Sequence, residues 1–255
     1  MRKTLVQTIL AAFCAILAAV VEGGGVMLPG ARLLFGGKAV KEVPDGDDTL
    51  AVVNNDTSTV IATDFKLGDK MCLEVCFRQP SNVRGTGYLI VGYDHDAVGD
   101  ESDFPYWKDG GDYRLFIYNT NTVMLDVGHN SNRPDDWGAG SRIEKNLTRG
   151  TWHVVKGPVG ADAYFDGVKK SSSDGAYHAD GNYNTAKLPM RIFSCRSSNS
   201  QRCAIRYIKV TDTRNGATLC SLWPDTRGGF VDMATGKLYT PQSGSVSVVK
   251  WETIT

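Results

Sequence analysis

Apolar residues recur along this chain in short runs separated by turn residues, and almost nowhere at the three-to-four residue spacing of an amphipathic helix. The clearest runs are "TVIATDF", "MCLEVCF", "GYLIVGY", "YRLFIYN", "VMLDVG", "TWHVVKG", "DAYFDGV", "MRIFSC" and "RCAIRYIKVTD". Each is rich in β-branched and aromatic residues and reads as a strand. In "AIRYIKV" the alternation sets Ile205, Tyr207 and Val210 on the face opposite Arg206 and Lys209, which marks a strand with one wet side. Trp152 alternates with Val154, and both are expected in the core; Trp223 beside Pro224 is expected to be structural. The segments "FDG" at Phe165 to Gly167, "DGG" at Asp109 to Gly111 and "TRNG" at Thr213 to Gly216 are short glycine turns. The pattern predicts an all-β protein of two antiparallel sheets.

Near the C-terminus "GGFVDMATGKLYT" contains a Thr-Gly-Lys that invites a nucleotide reading. A phosphate loop needs glycine five positions before its Gly-Lys pair and a hydroxyl residue after it; Val231 and Leu238 stand there instead. Two short strands, Gly229 to Met233 and Lys237 to Thr240, joined by a turn in which Gly236 takes positive φ, fit better. The last residues, "VSVVKWETIT", are expected to return as a strand beside the N-terminal run "ARLLFGG".

The first 24 residues differ from the rest. Arg2 and Lys3 precede an apolar run from Leu5 to Val21, followed by "EGGG", the layout of a secretory signal cleaved between Ala19 and Gly24. The expected organisation is therefore a signal peptide over residues 1–24 and one domain over 25–255, secreted, periplasmic or at the cell surface. About 230 residues suit a single β-sandwich with a sizeable core. Lys plus Arg number 28 and Asp plus Glu 28, with no basic concentration, so no nucleic-acid face is expected. No second apolar run approaches spanning length, so no transmembrane segment is expected after cleavage. Five cysteines follow the leader: Cys72, Cys76, Cys195, Cys203 and Cys220. Cys72 and Cys76 share one face of a strand about 13 Å apart and cannot bond to each other. Cys195 and Cys203 flank "RSSNSQR", where a hairpin would set them opposite one another; a disulfide and a pair of buried thiols are the two alternatives.

Three polar connections are longer than the rest: "DHDAVGDESDFPYWKDGGD" from Asp94, "HNSNRPDDWGAGSRIEKNLTRG" from His129 and "KKSSSDGAYHADGNYNTAK" from Lys169. Loops of that length on a compact sandwich are commonly functional or variable. The order of motifs resembles laminin-G-like, concanavalin A-like jelly-roll domains. "STVIATDFKLGDKMCLEVCF" resembles their opening strands, "NLTRGTWHVV" their Gly-x-Trp-His strand, and "ADAYFDGVKK" their Tyr-x-Asp-Gly hairpin. "LPMRIFSC" with "RCAIRYIKVTD" is similar to their penultimate strand pair, and "ATLCSLWPDTRGGFVDMATGKLYT" to the close of a subgroup. The resemblance covers about Ser58 to Val248 and implies a two-sheet antiparallel jelly-roll sandwich, with ligands taken at one rim or on the concave face. That fold hosts lectins, adhesion modules and hydrolases, so it does not set the activity.

Retaining glucanases of this fold carry a Glu-x-Asp-x-x-Glu strand, which places nucleophile and acid on one face. No such triplet occurs, a Gly-x-Ser-x-Gly elbow is missing, and His95, His129, His153 and His178 show no paired metal spacing. The expectation is a chain that is not an enzyme. Asp94, Asp96, Asp100, Glu101 and Asp103 fall within ten residues and are candidate ligands for calcium, the one cofactor they suit; a solvated acidic loop is the plainer reading. Val98 and Pro105 break the EF-hand pattern. Tyr106 and Trp107 in the first polar loop, and Trp137 after Asp135 and Asp136 in the second, are candidate ligand-binding residues, because aromatics within polar stretches are less often core. Carbohydrate is the leading ligand class for an exported binding or adhesion module; a protein partner, or a structural role at the cell surface, is the alternative.

Overall fold

The computed structural model describes residues 31–32, 40–41, 43–80, 87–92, 113–118, 121–127, 139–144, 146–170, 186, 188–193 and 202–254. The chain divides into two compact units, Met1–Val43 and Pro44–Thr255. In the first, β1 (Ala31–Arg32) pairs antiparallel with β2 (Val40–Lys41).

The second unit is an all-β, two-sheet antiparallel jelly-roll sandwich. Its strands are β3 (Leu50–Asn54), β4 (Ile61–Ala62), β5 (Met71–Arg78), β6 (Gly87–Val91), β7 (Tyr113–Tyr118), β8 (Thr122–Val127), β9 (Ala139–Glu144) and β10 (His153–Val159). There follow β11 (Asp162–Phe165), β12 (Val168–Lys170), β13 (Arg191–Ile192), β14 (Ala204–Asp212), β15 (Thr218–Asp225), β16 (Gly229–Asp232), β17 (Leu238–Tyr239) and β18 (Val246–Lys250). Among the described residues the larger sheet runs β12-β11-β10-β5-β14-β15-β16-β17, with β3 beside β14 and β18 beside β3; the smaller runs β4-β13-β6-β7-β8-β9.

Strand alternation explains the core. In β5 Leu73, Val75 and Phe77 are fully buried, as are Val155 of β10 and Ile205, Ile208 and Val210 of β14. Leu115 and Ile117 of β7, with Val123 and Leu125 of β8, belong to the same apolar cluster from the other sheet. At Gly157 an added Cβ would lie 3.2 Å from Leu125 Cδ2, so the absence of a side chain lets the two sheets close there.

Two expected facings are corrected. Trp152 and Val154 do not point into the core; His153 and Val155 do, and Trp152 is only partly buried. The polar His153 is accommodated because both ring nitrogens have partners: Nδ1 lies 2.7 Å from the Asp166 carboxylate and Nε2 2.7 Å from the Thr148 carbonyl. Its ring stacks on Phe165 at 4.9 Å. Asp166, at φ +50° in the Asp-Gly turn, also accepts the Val154 N–H, so the Trp-His strand and the Asp-Gly hairpin lock each other. In β14 a bulge between Ile205 and Tyr207 inserts an extra residue. Arg206 and Tyr207 therefore both face outward, and Ile208 takes the core position that alternation assigned to Tyr207.

The C-terminal strand is corrected as well. β18 pairs with β3, in the register Val248↔Val52, and the Ala31–Arg32 strand pairs with β2. Part of the second long polar connection is strand: β9 continues the smaller sheet beside β8. The C-terminal hairpin forms as expected from Phe230↔Tyr239 and Val231↔Leu238, with Gly236 at φ +74°. Cys72, Cys76, Cys203 and Cys220 are free, buried thiols; Cys195 lies outside the described residues. Burial pushes the Cys72 thiol up to about 11 and those of Cys76 and Cys203 to about 12. Of the expected Cys195–Cys203 pair, Cys203 alone is described, as a buried free thiol.

Candidate functional site

Tyr106, Trp107, Asp136 and Trp137, and the acids Asp94, Asp96, Asp100, Glu101 and Asp103, all lie outside the described residues. Among the described residues no three His, Cys, Asp or Glu side chains are grouped to hold a metal ion, and no helix is long and apolar enough to cross a membrane.

The described residues do converge chemistry elsewhere, on the outward face of the larger sheet. Because β5 turns Leu73, Val75 and Phe77 inward, Glu74 must point out. The registers Lys156↔Glu74, Lys156↔Tyr164, Tyr164↔Lys169 and Lys209↔Glu74 set these residues in one transverse row across five adjacent strands, β12, β11, β10, β5 and β14. The row opens onto a depression of ≈ 450 Å³ lined by Glu74, Val154, Lys156, Val159, Tyr164 and Gly167, within the size range of small-ligand sites.

Glu74 is held from both sides. Its Oε2 lies 3.0 Å from the Lys156 ammonium, and its Oε1 accepts the Tyr207 hydroxyl at 3.1 Å. The bond to Glu74 raises Lys156 above the ordinary lysine range, which keeps it a cation. Burial, then the Glu74 charge, pushes the Tyr207 hydroxyl up, so it stays a protonated donor at neutral pH. A second ion pair stands across Tyr164: Lys169 Nζ is 2.8 Å from Asp162. The face thus offers paired donors and acceptors beside a half-buried phenol ring.

Beyond Glu74 the same face is covered. The segment Pro44 to Asp48 passes over β14 and β15, held by Asp45 to Lys209 at 2.7 Å and by Arg206 donating to the Asp48 carbonyl at 2.7 Å. Gly46 packs against the Trp223 side chain, which is 3% exposed. Trp223 lies 5.2 Å from Tyr207, and Lys209 sits 5.2 Å from both rings. Trp223 is structural, as its sequence setting implied. The row itself was missed in the sequence, since Glu74 and Lys156 are single charges in apolar strands and only the pairing register brings them together. The signal available was the charged residue at the centre of "MCLEVCF" and the lysine within "HVVKG".

No protein-family model matches the chain, and no curated protein matches it. Solved structures similar in fold include three that differ in activity. A heptameric SAP-like pentraxin from Limulus polyphemus is 13% identical with a TM-score of 0.45, over 82% of this chain and 99% of its own. An alginate lyase from a Chlorella virus is 13% identical with a TM-score of 0.34, over 77% of this chain and 97% of its own. The catalytic domain of an endo-1,3-β-glucanase from Thermotoga petrophila is 13% identical with a TM-score of 0.31, over 72% and 80%. At that distance the likeness concerns the fold alone. The expectation that the chain is not an enzyme is corrected here: two of these three structures are enzymes. The missing Glu-x-Asp-x-x-Glu strand excludes one glucanase arrangement and leaves other catalytic arrangements in this fold open.

Proposed function

We propose that this is an exported, laminin-G-like jelly-roll domain that recognises carbohydrate on the outward face of its larger sheet. The observation that carries the reading is the fixed Lys156–Glu74–Tyr207 set bordering the ≈ 450 Å³ depression beside Tyr164. A sugar hydroxyl both donates and accepts, so an ammonium and a carboxylate 3.0 Å apart can bind neighbouring hydroxyls at once, while the Tyr164 ring meets the apolar side of the sugar ring. The preorganisation matters energetically: Glu74 is already oriented, so little side-chain entropy is lost on binding.

A glycan array probed with the whole chain tests the reading. Glu74→Gln and Lys156→Ala are each expected to weaken retention about tenfold, a loss of ~1.4 kcal/mol, with an unchanged melting temperature. Release of reducing sugar or of unsaturated products from the same glycans separates recognition alone from turnover. Retention of no glycan, or retention indifferent to both substitutions, would reject the site.

A further inference from the structure

We infer that the site takes an oligosaccharide rather than a single sugar, with a second subsite at the Lys169–Asp162 pair, and that the chain extends toward β12 and not toward β14. The inference rests on the carbohydrate reading above and deepens it.

Its basis is the order of the transverse row. Lys169, Tyr164, Lys156 and Glu74 are direct cross-strand partners on four consecutive strands. The ion pair Lys156–Glu74 lies on one side of Tyr164; on the other, Lys169 of β12 pairs back to Asp162, two residues from Tyr164 on its own strand. Lys156 and Lys169 are two strand spacings apart, ~9.6 Å, a distance longer than one sugar ring and bridged by two linked ones. The two pairs share the same chemistry, one ammonium and one carboxylate at 3.0 and 2.8 Å, so each offers a donor and an acceptor to one ring's hydroxyls. Tyr164 stands between Lys156 and Lys169, so its ring meets the apolar side of the first sugar ring where that ring joins the second.

The two ends of the row differ. On the far side of Glu74 the next partner is Lys209, whose ammonium is tied to Asp45 of the covering segment, and Gly46 fills the space over Trp223. No third ring fits there without displacing that segment. On the other side, among the described residues, the row ends at β12, where the Lys169 side chain is 60% exposed. Among the described residues the row is closed at one end and open at the other, a geometry that seats a chain end against the covering segment.

NMR titration of the full chain with β-linked gluco-, galacto- and manno-oligosaccharides of one to four units tests this. In the series that binds, affinity is expected to rise at least about tenfold from one unit to two. Lys169→Ala and Asp162→Ala are expected to abolish that rise and leave the single-unit affinity unchanged, while Asp45→Asn leaves the rise intact. Both altered subsite residues lie on the surface, so the fold is retained and the amide spectrum reports it. Binding with the same affinity at every length, or a length dependence removed by Asp45→Asn and not by Lys169→Ala, overturns the second subsite and leaves carbohydrate recognition standing. Binding in no series overturns both.

Discussion

Gly46 has no room for a side chain: a Cβ there would overlap the Cβ and Cγ of Trp223. The constraint is one of close approach, not of backbone conformation, and it places the covering segment directly on the indole. Trp223 in turn donates its Nε1–H to Ser221 Oγ at 3.0 Å, so the indole is fixed from below. Forcing a methyl group into such a contact typically costs about 1–3 kcal/mol, and here the cheaper response is for the segment to lift. Gly46→Ala is therefore expected to leave the sheets intact, to expose Trp223 and to break the Asp45–Lys209 pair. A red-shifted tryptophan emission with a small drop in melting temperature would bear this out; an unchanged emission spectrum would show that the segment absorbs the methyl group in place.

At the scale of elements, acidic residues organise the turns. Asp212 accepts the Arg214 N–H at 2.9 Å and Asp225 the Arg227 N–H at 2.9 Å, and each carboxylate also grips the same arginine's guanidinium. The Arg227 side chain holds the Asp225 carboxyl down at about 2, and Arg214 lowers Asp212 in the same way. A depressed carboxyl contributes stability that is complete above its unfolded value of about 3.9 and lost as pH falls toward about 2. Melting temperature is thus expected to fall across that window, and Asp225→Asn to flatten the fall while lowering the value at neutral pH; equal acid slopes in variant and parent would contradict the assignment. Most of these elements were legible in the sequence, because β5, β10, β14 and the C-terminal hairpin carry apolar runs bounded by polar turn residues. What was not legible follows from pairing. The bulge before Tyr207 and the buried His153 depend on partners that no local pattern encodes, and β3, "LAVVN", is a short run between polar stretches that becomes a strand by lying between β14 and β18. The candidate site was illegible for the same reason: Glu74 is distant in sequence from Lys156 and Tyr164 and meets them only through register, whereas the loop aromatics that composition drew forward lie outside the described residues.

At the scale of the jelly-roll unit, its C-terminal strand closes the layer that its first strand begins. β18 covers one edge of β3 with five paired residues, and Val246 and Val248 pack against the core cluster. Just beyond it Trp251 meets Trp152 edge-on at 6.3 Å, with the Arg206 guanidinium 4.6 Å from the Trp251 ring, and Arg78 donates to the Ile254 carbonyl. Arg206 also holds the covering segment through Asp48, so the C-terminus and the wall of the candidate site share one side chain. Removing residues 246–255 strips Val246 and Val248 from the core cluster, worth about 2–3 kcal/mol together, and bares the edge of β3 to other chains. The truncated chain is expected to melt about 4–12 °C lower, to associate at high concentration, and to bind glycan more weakly because Arg206 loses the ring that positions it. Calorimetry and sedimentation of the truncated chain check all three. A melting temperature equal to that of the full chain would mean that β18 is docked on a sheet already complete without it, and glycan affinity unchanged in a destabilised chain would show that the covering segment is held by Asp45 and Gly46 alone.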